Sequence, residues 1–344
     1  MLAETIGRIS PLDAAAMGDA RARLDALTKP PGSLGRLEEL AVQLAGITGH
    51  VPPPLEKRVI YVFAADHGVT AERVSTYPSV VTAQMVSNFL RGGAAINVLA
   101  RQAGASLVIV DVGIAGDVER HPRLVSRKIA HGTRNFARES AMSREEAVRA
   151  VEIGISVFEP CQLAGMGEMG IGNTTAAAAI VAAATGRPAA EVAGGGAGLD
   201  QAGVERKIDV IERALAKHRP DGRDGLSLLQ TVGGFEIGAL AGAMLAAAAA
   251  RVPVVIDGFI STAAAIVAAR LCPAVAPHLI AAHRSAERGH PLALAELGLR
   301  PLLDLDLRLG EGTGAALAFH LIDAACRVTR EMATFEEAGV SGNR

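Results

Sequence analysis

Four short apolar runs in this 344-residue chain each stop at a polar residue, and that pattern restricts the fold more than any other feature. Val59-Ile60-Tyr61-Val62-Phe63-Ala64-Ala65 runs into Asp66-His67-Gly68, and Leu107-Val108-Ile109-Val110 into Asp111-Val112-Gly113. Val252-Pro253-Val254-Val255-Ile256 runs into Asp257-Gly258, and His278-Leu279-Ile280-Ala281-Ala282 into His283. Continuous β-branched runs without polar alternation are strands buried on both faces, as in a parallel sheet. Helical patterns fall between them, over residues 82–102, 143–158, 174–184, 261–271 and 315–328. Strands alternating with helices predict an α/β chain whose ligand site lies at the carboxyl ends of the strands. Two further helices are predicted ahead of the first strand, over 14–27 and 36–47, with Ser33 as a candidate cap of the second. The prolines and glycines of Lys29-Pro30-Pro31-Gly32 separate them, and Pro52-Pro53-Pro54 marks a boundary.

Composition removes several classes of function. Half the residues are hydrophobic and the formal net charge is −2, which excludes disorder. The chain has neither the basic balance nor the aromatic platforms of a nucleic-acid binder. Cys161, Cys272 and Cys326 are far apart and form no CxxC pair, so a reducing, cytoplasmic setting is expected. The N-terminus has no apolar targeting core. The apolar stretch 237–250 is shorter than the ~20 residues a membrane span requires, and reads as a buried helix. With 38 Gly and 66 Ala, small side chains build the interior and let helices lie close to the sheet.

Three glycine-rich stretches carry the candidate chemistry. Gly165-Met166-Gly167-Glu168-Met169-Gly170-Ile171-Gly172-Asn173-Thr174-Thr175 contains GxGxxG and reads as a loop before a helix. Its glycines admit a ligand to the backbone, and Asn173, Thr174 and Thr175 can cap the helix or bind a phosphate. A dinucleotide site, another phosphate site and a structural turn all remain open here. Gly194-Gly195-Gly196-Ala197-Gly198 can wrap a phosphate, with Lys207 as its cation, or can simply link two helices. Glu311, in Leu309-Gly310-Glu311-Gly312-Thr313-Gly314, can reach a ligand or cap the helix that follows. His67, His283, Glu287 and His290 do not have the spacing of a metal motif, and their loops are expected to line the ligand site. No GxSxG motif supports acyl chemistry.

Several stretches, in order, resemble the nicotinate-nucleotide–dimethylbenzimidazole phosphoribosyltransferase family. They are 27–35 (LTKPPGSLG), 65–69 (ADHGV), 77–85 (YPSVVTAQM), 165–175, 233–237 (GGFEI), 257–259 (DGF), 283–290, 309–314 and 332–340. The resemblance spans almost the whole chain. It implies a Rossmann-like, mainly parallel sheet with helices on both faces, plus a small helical domain built from the two chain ends. In that division residues 1–50 and 301–344 make the small domain and 51–300 the nucleotide- and base-binding domain. It also implies a homodimer whose partner subunit helps to cover each site.

The implied reaction moves the phosphoribosyl group of nicotinate mononucleotide to 5,6-dimethylbenzimidazole, in the lower-ligand branch of cobalamin synthesis. No cofactor and no obligatory Mg²⁺ are implied. By position, Glu311 matches the family's proton acceptor and Glu168 a second site carboxylate. Tyr77, Gln84 and Met85 match the stretch beside the benzimidazole. Asn173, Thr174, Thr175, Gly196, Gly198 and Lys207 match the groups on phosphate and ribose, and Gly170 matches a further substrate-binding position. Asp257 and Ser285 would border the nucleotide, and Leu309 opens the Glu311 motif. One departure stands out: Gly196-Ala197-Gly198 has Ala where the family usually carries Thr, so a hydroxyl donor is missing. Competing readings are a nucleotide-dependent oxidoreductase using Gly165–Gly170 and a catalytically silent nucleotide-binding module.

Overall fold

A computed structural model describes residues 1–341 of the chain; residues 342–344, the end of the expected third segment, lie outside it. Six strands form one parallel sheet: β1 (Arg58–Ala65), β2 (Ala105–Gly113), β3 (Leu124–Ser126), β4 (Leu163–Met169), β5 (Val254–Ile256) and β6 (Leu279–Ala281). Their spatial order is β3-β2-β1-β4-β5-β6, so the order reverses between β1 and β4. That switch point leaves a crevice beyond the carboxyl ends of the strands. A two-stranded parallel ribbon, β7 (His283–Arg284) with β8 (Leu303–Asp304), continues past β6.

Strand side chains alternate between the two faces, and both faces are buried. Val59, Tyr61 and Phe63 of β1 pack with the helices Arg144–Val157, Asn173–Thr185, Phe235–Ala249 and Phe259–Leu271. Ile60, Val62 and Ala64 pack with Ala14–Ala26, Arg36–Thr48, Val80–Arg91, Ala95–Gln102 and Thr313–Glu331. The two chain ends meet here. Leu27 bridges to Thr334, and Arg23 donates to the Thr329 and Met332 carbonyls. Their shared core runs on into this sheet face.

Local chemistry sets the differences from expectation. Residues 163–169 form β4 and not a loop; only Gly170–Gly172 turn before the next helix. The helix expected over 82–102 is two, broken at Gly92, whose φ of 85° ends the first. Ser33 caps nothing: Gly35 is the N-cap of Arg36–Thr48, and Glu38 takes the Leu34 N–H at 2.9 Å. His278 closes a 3₁₀ turn and β6 starts one residue later.

The helices Arg144–Val157 and Phe235–Ala249 press backbone to backbone. A methyl on Gly154 would stand 1.9 Å from the Ala239 carbonyl oxygen, and one on Gly242 1.9 Å from that of Val151. Gly→Ala gains up to about 1 kcal/mol of helix propensity. Overpacking costs about 1–3 kcal/mol, and a backbone clash has no rotamer to relieve it. Gly242→Ala is therefore expected to lower the denaturant midpoint at an unchanged m-value. A midpoint at or above wild type would show that the helices can separate freely.

Candidate active site

A cavity of about 650 Å³ opens at the carboxyl ends of β4, β5 and β6, beside the switch point. Its walls come from residues 74–77, 168–174, 195–197, 258–260 and 306–311, with Val81, Met85, Leu199, Lys207, His283, Ser285 and Glu287.

Glu311 sits in a turn of three consecutive left-handed residues, Gly310, Glu311 and Gly312, with φ of 83°, 64° and 90°. A non-glycine residue held there is strained, and such strain concentrates at functional sites. The carboxylate does not cap its own helix. It accepts the Ile96 N–H at 3.3 Å, at the start of Ala95–Gln102. The start of Thr313–Glu331 is held by Asp257, which accepts N–H groups from Gly312 (3.1 Å), Gly314 (2.7 Å) and Ala315 (3.1 Å). Asp257 thus fixes the Glu311 turn from behind and does not line the cavity. Burial raises the Glu311 pKa, the Ile96 N–H opposes this, and the Asp257 charge adds to it.

Glu168, at the end of β4, is buried, and the Asn173 amide donates to it. Burial first, then the charges of Asp257 and Glu236, push its pKa up to about 8. In the free protein it therefore holds a proton at neutral pH. The Asn173–Glu168 bond replaces the expected helix cap, a position taken by Gly172 with no side-chain bond.

Lys207 is buried beneath the Gly194–Gly198 turn and donates to Thr174 Oγ1 (3.0 Å) and the Gly194 carbonyl (3.2 Å). Burial lowers its pKa to about 8, against the nearby Glu287 carboxylate. Ser285 is anchored by His290, whose Nδ1 accepts the Ser285 N–H at 2.7 Å while Nε2 meets Thr262 Oγ1 at 2.9 Å. A ring that accepts at Nδ1 is neutral, and burial pushes its pKa down to about 3.

Behind the site, His67 Nε2 pairs with Glu236 Oε1 at 2.7 Å, both fully buried. Thr82 donates to Asp66 Oδ1 at 2.7 Å and accepts the Ile171 N–H at 3.1 Å, locking the helix Val80–Arg91 to the Gly170–Gly172 turn. Among the described residues no group of three or more His, Cys, Asp or Glu side chains is placed to hold a metal ion.

The cavity brings together Tyr77, Met85, Glu168, Gly170, Asn173, Thr174, Gly196, Lys207, Ser285, Leu309 and Glu311. It leaves out Gln84, Thr175, Gly198 and Asp257. Val81 and Met85 share the helix face toward the cavity, whereas Gln84 lies with Val80 on the exposed face. Thr175 is turned into the core, and Gly198 points a free edge away from the walls. Sequence reasoning missed the wall formed by Phe259 and Ile260, and it missed Arg308. Phe259 and Ile260 directly follow the Asp257-Gly258 strand end, a signal that was present; Arg308 stands in no motif.

Comparison with known proteins agrees with this geometry. Residues 9–340 match the family model described as phosphoribosyltransferase. The nicotinate-nucleotide–dimethylbenzimidazole phosphoribosyltransferase of Roseiflexus sp. (strain RS-1) is 61% identical, over 99% of this chain and 98% of the relative. That of Geobacter metallireducens (strain ATCC 53774 / DSM 7210 / GS-15) is 53% identical, over 100% and 99%. The crystal structure of the Thermus thermophilus protein of the same name superposes with a TM-score of 0.91 at 49% identity, covering 96% of this chain and 100% of that one. The chain belongs to the family of nicotinate-nucleotide–dimethylbenzimidazole phosphoribosyltransferases.

Proposed function

We propose that the chain transfers the 5-phosphoribosyl group of nicotinate mononucleotide to 5,6-dimethylbenzimidazole, giving α-ribazole 5′-phosphate and nicotinate, within cobalamin lower-ligand synthesis. One observation carries the reading. A single cavity joins two carboxylates whose pKa values burial raises, that of Glu168 to about 8, to a buried lysine under a glycine turn. The bond from ribose C1′ to the pyridinium nitrogen breaks, and its electron pair neutralises the departing ring. A benzimidazole nitrogen attacks the opposite face, which inverts the sugar from β to α. The proton on its other nitrogen goes to Glu311, the carboxylate free to accept it. Glu168 releases its proton to solvent as the cationic donor binds, and the resulting carboxylate steadies the positive charge that grows at C1′. Tyr77, Val81 and Met85 offer an apolar wall to the flat base, while Thr174, Gly196 and Lys207 face the phosphate.

Well-folded protein incubated with both substrates should yield a product with the mass of α-ribazole 5′-phosphate. Its absence would refute the proposal, and NAD retained through purification would favour the oxidoreductase. Lys207→Ala is expected to raise the KM for nicotinate mononucleotide about 10-fold or more, since a bond to a charged group is lost. The ammonium is the charged form, so the wild-type KM should climb as pH rises through about 8 and that climb should vanish in the variant. An unchanged KM would remove Lys207 from the phosphate.

A homodimer belongs to this proposal. Tyr77 and Leu309 stand exposed at the cavity, an apolar rim that a second copy would cover, and sedimentation reads this directly. We also place the enzyme in the cytoplasm, in keeping with three buried free thiols, and treat the helices of the two chain ends as its small domain.

A further inference from the structure

We propose that Arg308 is a second cation for the donor's phosphate and that it ties donor binding to the placement of Glu311; this rests on the transfer reading above. Among the described residues, Lys207 and Arg308 are the only lysine or arginine in the cavity wall. Arg308 comes from the loop that leads into Glu311, yet its guanidinium reaches the facing turn, with Nη1 3.5 Å from the Gly196 carbonyl. That contact is at the limit of a hydrogen bond and satisfies little of a five-donor group. The same glycine is crowded by the other candidate phosphate donors. A Cβ built on Gly196 would stand 3.0 Å from Thr174 Oγ1 and 3.3 Å from Lys207 Nζ. Guanidinium, hydroxyl and ammonium therefore converge on one spot of the wall.

Charge decides which part of the donor goes there. A phosphate monoester carries about −1.5 to −2 at neutral pH, more than one lysine balances. Arginine keeps its charge at any working pH and binds phosphate oxygens in pairs. Glu287 also lines the cavity, with Oε2 2.6 Å from a Cβ built on Gly194, and a carboxylate there disfavours an anion at Gly194 relative to Gly196 and Arg308. Arg308 also supplies a donor where Ala197 replaces the hydroxyl expected in this turn. Because it is three residues from Glu311, with Gly310 between them, a guanidinium fixed on phosphate would hold the segment that presents the base.

The test compares wild type, Arg308→Gln and Arg308→Lys with three donors: nicotinate mononucleotide, its phosphate-free riboside, and nicotinamide mononucleotide, which lacks the ring carboxylate. Calorimetry reads binding and turnover reads coupling. We expect Arg308→Gln to bind both mononucleotides about 10-fold or more weakly, and the riboside as wild type does, with Arg308→Lys between. Inorganic phosphate should speed riboside turnover in wild type and not in Arg308→Gln. An equal loss for the riboside would make the role structural. A loss confined to nicotinate mononucleotide would assign Arg308 to the ring carboxylate. Either result, or phosphate rescue of both proteins, overturns the inference. The two claims fail separately. No ribazole phosphate from wild type sinks the transfer reading, whereas equal mononucleotide affinity of wild type and Arg308→Gln sinks only this one.

Discussion

Glu311→Gln is expected to lower kcat by about 10²-fold or more while the fold stays intact, the scale of a lost general base. The amide keeps the shape of the side chain, and its oxygen can still accept the Ile96 N–H, while Asp257 goes on holding the left-handed turn through the Gly312 N–H. What disappears is the ability to take a proton. Glu168 cannot stand in for it. With a pKa near 8 it begins the cycle protonated, and it ionises only against the positive charge of the donor. The pH profile provides a second reading. Activity in the wild type requires the deprotonated carboxylate, so kcat/KM should rise with pH through a pKa above the usual carboxylate range, where burial places Glu311. In Glu311→Gln that limb should be gone, leaving only the one that the ionisation of Glu168 contributes near pH 8. Turnover near wild type, or an unchanged profile, would take Glu311 out of the role, and a collapsed melting transition would mean the turn itself had failed.

Strands announced by buried β-branched runs were legible because a parallel sheet leaves them no other composition. β4 was not. Its sequence, Leu-Ala-Gly-Met-Gly-Glu-Met, has no β-branched residue, and its glycines pointed to a loop. The same glycines are what the tertiary structure requires, since Gly165 and Gly167 lie under the start of Thr313–Glu331. Close approach erased the local signal of the strand. Asp257 shows a different limit. Its place after a strand pointed to the ligand site, but its carboxylate does not line the cavity and is committed to N–H groups 55–58 residues away, a pairing no local pattern records. Gln84 and Met85 are neighbours in one matching stretch, yet helix phase sends one to solvent and one to the cavity. Glu168 stood out because a charged residue among glycines has few structural uses, and Lys207 because it follows the Gly194–Gly198 stretch within reach, whereas Arg308 sits among leucines and aspartates that say nothing of its reach.

Gly167→Ala is expected to cost kcat about as much as removing the base, although it adds only a methyl and leaves every charged group in place. A Cβ on Gly167 would lie 2.4 Å from the Glu311 carbonyl oxygen, 2.6 Å from its carbon and 2.7 Å from the Gly312 nitrogen. All three are backbone atoms, so no rotamer relieves the contact. Restoring an ordinary 3.4 Å separation from 2.4 Å moves the turn by about 1 Å. A displacement of that size at the reacting groups can cost ~10²-fold in rate. Gly165→Ala is the control, two residues back on the same strand face. Its methyl would meet Ile60 Cγ1 at 2.9 Å, Phe319 Cζ at 3.2 Å and Ala315 Cβ at 3.4 Å, all side-chain atoms remote from Glu311. That variant should lose about 1–3 kcal/mol of stability to overpacking and keep most of its turnover below the melting transition. Equal losses of kcat in the two variants would mean that β4 acts only as a packing surface. A split between them would show that the strand's second glycine exists to let the turn carrying Glu311 rest on it.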